Sequence, residues 1–420
     1  MKKDKIAIIG LGYVGLPLAR LFATKYPVVG FDINVDRIIE LMSGVDSTLE
    51  VNSETLQSVL TDRYSDSNGL FCTNDLEIID KCNYYIITVP TPVTRKKVPD
   101  LSFLINASKT VAKYLKKGDI VIYESTVYPG CTEEDCVPVL EEYSGLKYNI
   151  DFFCGYSPER VNPGDKVNNL TQIKKITSGS TPKVAMAIDA LYKSIIEAGT
   201  YQAPTIKVAE AAKAIENAQR DLNISFVNEL ALIFDRMQID TNDVLEAAAT
   251  KWNFFPFKPG LVGGHCISVD PYFLSYKATE LGYKPEVILS GRNVNDSIPK
   301  FVAYKVIQLM RQKGIFKKKA KALILGITFK ENFNDIRNSK VPEIYKALEA
   351  EGLEVEVYDP LANPELVKKE YGISLSKTPG KYEAVIFAVA HQVFLEKGIG
   401  DYKNPRGTVI FDIKSALNKD

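Results

Sequence analysis

The stretch Lys5–Phe22, KIAIIGLGYVGLPLARLF, constrains this chain more than any other. A short β-branched run ends in Gly10-Leu-Gly12-Tyr-Val-Gly15, and an apolar helical pattern follows at once. Glycines at this spacing carry little weight alone, but between a strand and a helix they specify the turn of a dinucleotide-binding βαβ unit. The first glycine allows the tight turn, the second admits a pyrophosphate to the backbone, and the third lets helix and strand pack. Unpaired N–H groups and the dipole at the helix N-terminus favour the phosphate charge. Asp32 ends the next apolar run, VVGFD, where its carboxylate can bond both ribose hydroxyls and repels a 2′-phosphate. The expected cofactor is therefore NAD rather than NADP.

At 420 residues the chain exceeds what one hydrophobic core usually supports. Short apolar runs alternate with helical patterns, as in parallel α/β folds: IAIIG (6–10), VVGFD (28–32), YYIITVP (84–90), DIVIYEST (119–126), FFCGYSPE (152–159) and KKITSG (174–179). The character changes after Ala203-Pro204. Residues 205–240 contain no Gly or Pro, and Ile215, Leu222, Phe226, Leu230 and Ile233 keep close to a 3.6-residue period. This predicts one long helix, with Lys213, Asn217 and Arg220 as a polar stripe at i, i+4 and i+7. Strand-helix alternation restarts after the basic linker FKKKAK, in KALILGITFK (321–330), LEVEVYDP (353–360), YEAVIFAVAHQVF (382–394) and GTVIFDIKSAL (407–417). The segment ILGITFK…VYDP echoes IAIIGLG…VGFD, and it is read as lacking the glycines. The expected fold class is α/β, with two Rossmann-like parallel-sheet domains joined by a central helical domain. The expected bounds are 1–203, 204–300 and 301–420.

Lys+Arg and Asp+Glu balance at 52 each, so no charge excess points to nucleic acid or an anionic membrane. The opening is no signal peptide, because glycines, Pro17 and Arg20 interrupt its apolar run. No stretch reaches transmembrane length. Six cysteines in so long a chain form no dense disulfide framework and suit a reducing cytoplasm. Cys131 and Cys136 have the wrong spacing for zinc knuckles, and with two histidines in the chain no metal site is expected.

Cys266 lies in LVGGHCISVDPYF, with Gly263-Gly264 before it and Asp270 after it. The glycine pair suggests close approach of backbone to a ligand. Thiolate is the nucleophilic form of cysteine, and a nearby cation favours it. Lys213 on the long helix is the expected cation; with Asn217 it can stabilise an oxyanion. His265 is expected to point away from the thiol and is given no role. A thiol combined with NAD can capture an aldehyde as a thiohemiacetal, lose hydride to give a thioester, and release an acid to water.

GLGYVGLPLA, ITVPTP, ESTVYPG, GYSPERVNPGD, the Lys213-to-Asn217 helix, GGHCISVDPYF and ILGITFKENFNDIRNS follow one another over nearly the whole chain. In these motifs it strongly resembles the UDP-glucose/GDP-mannose dehydrogenase family. The resemblance implies twofold NAD-dependent oxidation of a sugar C6 alcohol through a cysteine thioester. It also implies a homodimer formed by the central domain and a C-terminal domain that holds UDP.

Cys266 is similar to the family nucleophile, Lys213 and Asn217 to its oxyanion partners, Asp270 with Thr126 to the group that orders water, and Glu159 to its acid/base. Tyr13, Val14, Asp32, Arg37, Thr91 and Thr126 match NAD-contacting positions, beside Gly10, Gly12 and Gly15. Arg160, Val161, Lys213, Asn217, Arg220, Gly263, Phe329, Lys330 and Arg337 match substrate-contacting positions, and Lys258 is a further phosphate cation, across the dimer. Pro163 stands where the UDP-glucose branch has an acid, and Thr250 and Trp252 stand where the mannosamine branch has His and Arg. The chain looks most like the branch that oxidises UDP-N-acetylglucosamine or UDP-N-acetylgalactosamine for surface polysaccharide. UDP-glucose and UDP-N-acetylmannosamine are the rival substrates. A non-catalytic NAD- and nucleotide-binding regulator is the rival of another class.

Overall fold

The computed structural model describes residues 4–94, 96–161 and 169–417. Two compact units divide the chain, one formed by 1–216 with 272–281 and the other by 217–271 with 282–420.

In the first unit, β1 (Ile6–Ile9), β2 (Pro27–Phe31), β3 (Gly69–Thr73), β4 (Tyr84–Ile87), β5 (Ile120–Tyr123) and β6 (Phe153–Tyr156) form one parallel sheet in the order β3-β2-β1-β4-β5-β6. Every residue of β1, β4 and β5 is buried, which is why these strands read as unbroken apolar runs rather than alternating ones. The strand order reverses between β1 and β4, and doubly wound sheets bind ligands at that crevice, beyond the strands' carboxyl ends. Leu16, Leu18 and Phe22 of the helix Gly15–Ala23 pack on one core with Ile6, Ile8 and Ile188.

Two strands escaped the sequence reading. β3 has a glycine at its start and follows the polar run DRYSDSNG, so no apolar pattern announces it. β7 (Lys175–Thr177), the KKITSG run, does not join the main sheet. It pairs in parallel with β8 (Thr200–Gln202), whose residues are mostly exposed and carry no apolar signal.

The second unit holds β9 (Lys321–Leu325), β10 (Glu354–Tyr358), β11 (Ala384–Phe387) and β12 (Val409–Asp412) in a parallel sheet ordered β10-β9-β11-β12. Its opening repeats the N-terminal turn more closely than expected. Gly326 N–H donates to Tyr358 O at 2.9 Å as Gly10 N–H donates to Phe31 O at 2.8 Å, and both glycines have positive φ. The first glycine of the motif is therefore kept. Asp359 ends β10 as Asp32 ends β2, but its carboxylate is buried and accepts from Ile327 N and Thr328 N, with His391 Nε2 at 3.1 Å. Those contacts hold the carboxyl below its usual range, and the aspartate braces the loop after β9.

The long helix spans Ile206–Met237, close to the predicted 205–240 and about 48 Å long at 1.5 Å per residue. Within the second unit, the helix Glu286–Gln312 packs against it at Gly291, where a Cβ would lie 2.6 Å from Leu222 Cδ2. Buried Asp221 accepts from Arg292 at 2.6 Å and Asn295 at 2.7 Å. Beside them Asn228 both donates to Gly260 O and accepts from Gly260 N, at 3.0 and 2.8 Å. That amide fixes the start of the cysteine loop to the helix. Among the described residues, no helix is long and apolar enough to cross a membrane.

Candidate active site

The three glycines after β1 have three different reasons. A Cβ on Gly15 would lie 1.8 Å from Gly10 O, so no side chain fits beneath the turn. Gly10 has φ +99°, which side chains rarely tolerate. Nothing lies within 4 Å of the Cβ position at Gly12, which is exposed. Val14 precedes the helix without a side-chain cap; Leu16 N donates to Gly12 O at 3.2 Å and Pro17 has no N–H, so the open backbone a ligand meets is that of the turn at Gly12. This open turn fits a pyrophosphate.

Asp32 Oδ2 accepts from Leu11 N at 2.8 Å and Oδ1 from Asn34 N at 2.9 Å, so the carboxylate is fixed at the end of β2. Arg37 is buried under the turn: Nε donates to Leu11 O at 3.0 Å and Nη2 to Asp46 at 2.7 Å. Its guanidinium braces the turn from below. Thr91 Oγ1 donates to Thr126 O at 2.6 Å and Thr88 Oγ1 to Gly10 O at 2.7 Å, tying together the loops after β1, β4 and β5. Tyr13 and Thr126 are half-buried there. These groups fit a dinucleotide with a free ribose.

Beyond β6, Glu159 Oε1 accepts from Arg160 N and Val161 N at 2.6 and 2.7 Å. Its Oε2 faces Lys175 Nζ at 3.5 Å. Lys175 is 2% exposed and donates at 2.6 Å to Glu124, which Tyr192 also bonds. Burial lifts the Glu124 carboxyl to about 6 against the pull of Lys175. No motif marks this cluster, since 51 residues separate its ion pair. Arg160 pairs with Glu216 at 2.6 Å. Lys213, on the long helix, is buried. Pro163 lies outside the described residues.

In the second unit, five of the six cysteines being buried elsewhere in the chain, Cys266 is the one with a half-exposed side chain. Burial pushes the Cys72 and Cys82 thiols up to about 12 and raises Cys154 too, while a hydrogen bond with Cys136 and then burial raise Cys131. Neutral thiols of that kind are inert. Asp270 N and Val269 N both donate to Cys266 O, at 2.8 and 3.0 Å, so the segment is a helical turn leading into the helix Asp270–Glu280. Asp270 is buried, and its Oδ2 accepts from Asn217 Nδ2 at 2.6 Å.

One expectation for this loop is corrected. In a helical turn successive side chains stand about 100° apart rather than on opposite sides. His265 accordingly faces the thiol, with Nδ1 3.0 Å from Cys266 Sγ. The glycine pair also packs tightly: a Cβ on Gly263 would lie 2.7 Å from Asn338 O, and one on Gly264 2.7 Å from the Phe329 ring.

Gly263 and Phe329 line a cavity with Glu331, Ser339, Lys340 and Lys414. Lys414 pairs with Glu331 there. Lys330 is half-buried beside it in sequence, and Arg337 donates to Asp335 from Nε and Nη2 at 2.6 to 3.0 Å. Arg220 is half-buried and Lys258 exposed.

Models of three domains of one family match the chain in order: its NAD binding domain over residues 4–196, its central domain over 207–297 and its UDP binding domain over 323–419. The chain is 53% identical to the UDP-N-acetyl-D-glucosamine 6-dehydrogenase of Pseudomonas aeruginosa, covering 100% of this chain and 99% of that protein. It is 54% identical to the protein of that name from Salmonella typhi, over 98% and 96% of the two. The solved UDP-D-ManNAc dehydrogenase of Pyrococcus horikoshii is similar with a TM-score of 0.87 at 31% identity, over 99% of this chain and 96% of that one. Domain order, the NAD turn and this likeness agree: the chain is an NAD-dependent nucleotide-sugar dehydrogenase and belongs to the UDP-glucose/GDP-mannose dehydrogenase family.

Proposed function

We propose that this enzyme oxidises the C6 alcohol of a UDP-N-acetylhexosamine twice, through a thioester on Cys266, to the uronic acid. The observation that carries the reading is the exposure of one thiol, Cys266, on a loop beside the Asn217–Asp270 pair, while the other five are buried. NAD+, when bound, accepts one hydride at each oxidation. Cys266 adds to the C6 aldehyde left by the first, and loss of the second hydride from the adduct gives the thioester. Lys213 and Asn217 stabilise the oxyanion, as preorganised donors do. Asp270 and Thr126 order the attacking water, and Glu159, its carboxylate oriented by two backbone N–H groups, takes the water's proton.

Arg160, Val161, Arg220, Lys258, Gly263, Phe329, Lys330 and Arg337 bind the sugar nucleotide in this reading, with residues 1–203 carrying NAD, 204–300 the dimer contact and 301–420 UDP. The names of the two bacterial relatives support N-acetylglucosamine, with N-acetylgalactosamine as the second sugar. Phe226, Ile233 and Met237 are 56, 43 and 58% exposed along one helix, which supports a homodimer. A cytoplasmic supply of the UDP-uronic acid for surface polysaccharide synthesis is the role we assign. A panel of UDP-sugars, scored by NADH formed, tests the reading. It predicts two NADH per UDP-N-acetylglucosamine. Turnover of UDP-glucose alone, or one NADH per sugar, refutes it.

A further inference from the structure

The ring of His265 stands between two groups. Its Nδ1 lies 3.0 Å from Cys266 Sγ, and its Nε2 lies 3.8 Å from Asp335 Oδ2. Phe329 meets the ring edge-on, with centroids 5.9 Å apart, and so restrains its rotation. Asp335 is 7% exposed, and Arg337 grips both of its oxygens. Among the titratable and charged groups facing the imidazole are the Cys266 thiol, the Asp335 carboxylate and, through Asp335, the Arg337 guanidinium. A base in contact with a thiol, with a carboxylate 3.8 Å beyond its buried far nitrogen, resembles the arrangement that activates nucleophiles, although that second approach is longer than a hydrogen bond.

We propose that His265 is a catalytic residue, the proton acceptor of the Cys266 thiol. The proposal rests on the reading of Cys266 as the nucleophile. As Sγ bonds to the aldehyde carbon, the S–H proton passes to Nδ1 and the carbonyl pair moves onto oxygen. That alkoxide then expels hydride to the cofactor and becomes the thioester carbonyl. Attack by water, with its proton taken by Glu159, expels the Cys266 thiolate, which recovers its proton from His265. The resting tautomer carries its hydrogen on Nε2, toward Asp335, and the imidazolium formed in between is opposed by that carboxylate.

The test alkylates the full-length enzyme with iodoacetamide across pH 5 to 10 and follows the Cys266 peptide by mass spectrometry. The same wild type, His265→Asn, His265→Gln and Cys266→Ala are then assayed with UDP-N-acetylglucosamine. Asn keeps a polar atom near the Nδ1 position but cannot take the proton. We expect its alkylation midpoint to rise toward the ordinary thiol value of about 8.5. We expect kcat at pH 7 to fall on the order of 10²-fold, with KM for the sugar nucleotide little changed. His265→Gln, nearer in volume, is scored in the same way should the Asn variant lose its thermal transition. Wild-type alkylation and kcat in these variants, with Cys266→Ala inactive, overturn the proposal alone. A fully active Cys266→Ala overturns the nucleophile reading beneath it.

Discussion

Asn217 donates to the carboxylate of Asp270 at 2.6 Å, so the long helix and the helix that follows the cysteine turn are pinned by one charge-assisted bond. Asp270 is the first residue of its helix, where a negative charge is favoured by the dipole. It is 2% exposed, and replacing it leaves the Asn217 amide facing a neutral group. Asp270→Asn is predicted to lower kcat on the order of 10²-fold while NAD affinity stays within a factor of about two, because the glycine turn is untouched. Steady-state kinetics and fluorescence titration with NADH check this. An unchanged kcat contradicts it.

Lys175 holds two carboxylates, Glu124 at 2.6 Å and Glu159 at 3.5 Å. Removing it leaves Glu124 buried with no cation, a loss that typically costs about 3–5 kcal/mol. Lys175→Met should therefore lower the melting temperature steeply, and adding Glu124→Gln should restore most of the loss. The restored double variant should still hydrolyse its thioester slowly, since Glu159 has lost its orienting cation. Rapid single-turnover release of the acid from that variant is the contrary result.

Glu210 is wholly buried, and burial lifts its carboxyl to about 7 although Gly130 N and Thr132 N donate to it at 2.6 and 2.9 Å. The folded chain thus keeps this proton where an unfolded glutamate loses it near 4.3. Between those two values the native state binds more protons, so stability is fully present below that window and is lost as pH rises toward 7. Each unit of difference is worth about 1.4 kcal/mol. Glu210→Gln should flatten the fall in melting temperature between pH 5 and 7.5. Parallel curves for wild type and variant contradict this.

Gly264 has φ +84°, and a Cβ there would lie 2.7 Å from the Phe329 ring. Gly264→Ala should cost about 1–3 kcal/mol through strained backbone alone. Adding Phe329→Leu should recover the part due to the clash and none of the part due to φ. Chemical denaturation of the three variants separates these shares, and a Gly264→Ala stability equal to wild type refutes the packing account of this glycine.

The strands that feed the sites were legible because both faces of a parallel sheet are buried, which turns each into a short apolar word such as IAII or ALIL. Two strands at sheet margins carry no such mark: the sequences of β3 and β8, GLFCT and TYQ, look like loop. The cysteine and its carboxylate could be picked out because glycines and an acid are unusual company for a thiol. The direction of the His265 ring could not, because adjacent residues oppose each other in a strand but converge in a helical turn. Nor could the Lys175–Glu124 pair be read, since β7 lies in a different sheet from β5 and the two are brought together only by the fold. Arg37 matched a cofactor position by motif, whereas its burial and its bond to Leu11 O make it a brace for the turn.

Turnover through Cys266 requires a covalent acyl enzyme at that sulfur. Quenching Glu159→Gln in acid during turnover of UDP-N-acetylglucosamine with NAD+, and mapping the added mass by peptide, tests this. A sugar-acyl adduct is expected on the peptide holding Cys266, labile to hydroxylamine and missing from Cys266→Ser. Accumulated NADH with an unmodified Cys266 peptide at every quench time would contradict the covalent route.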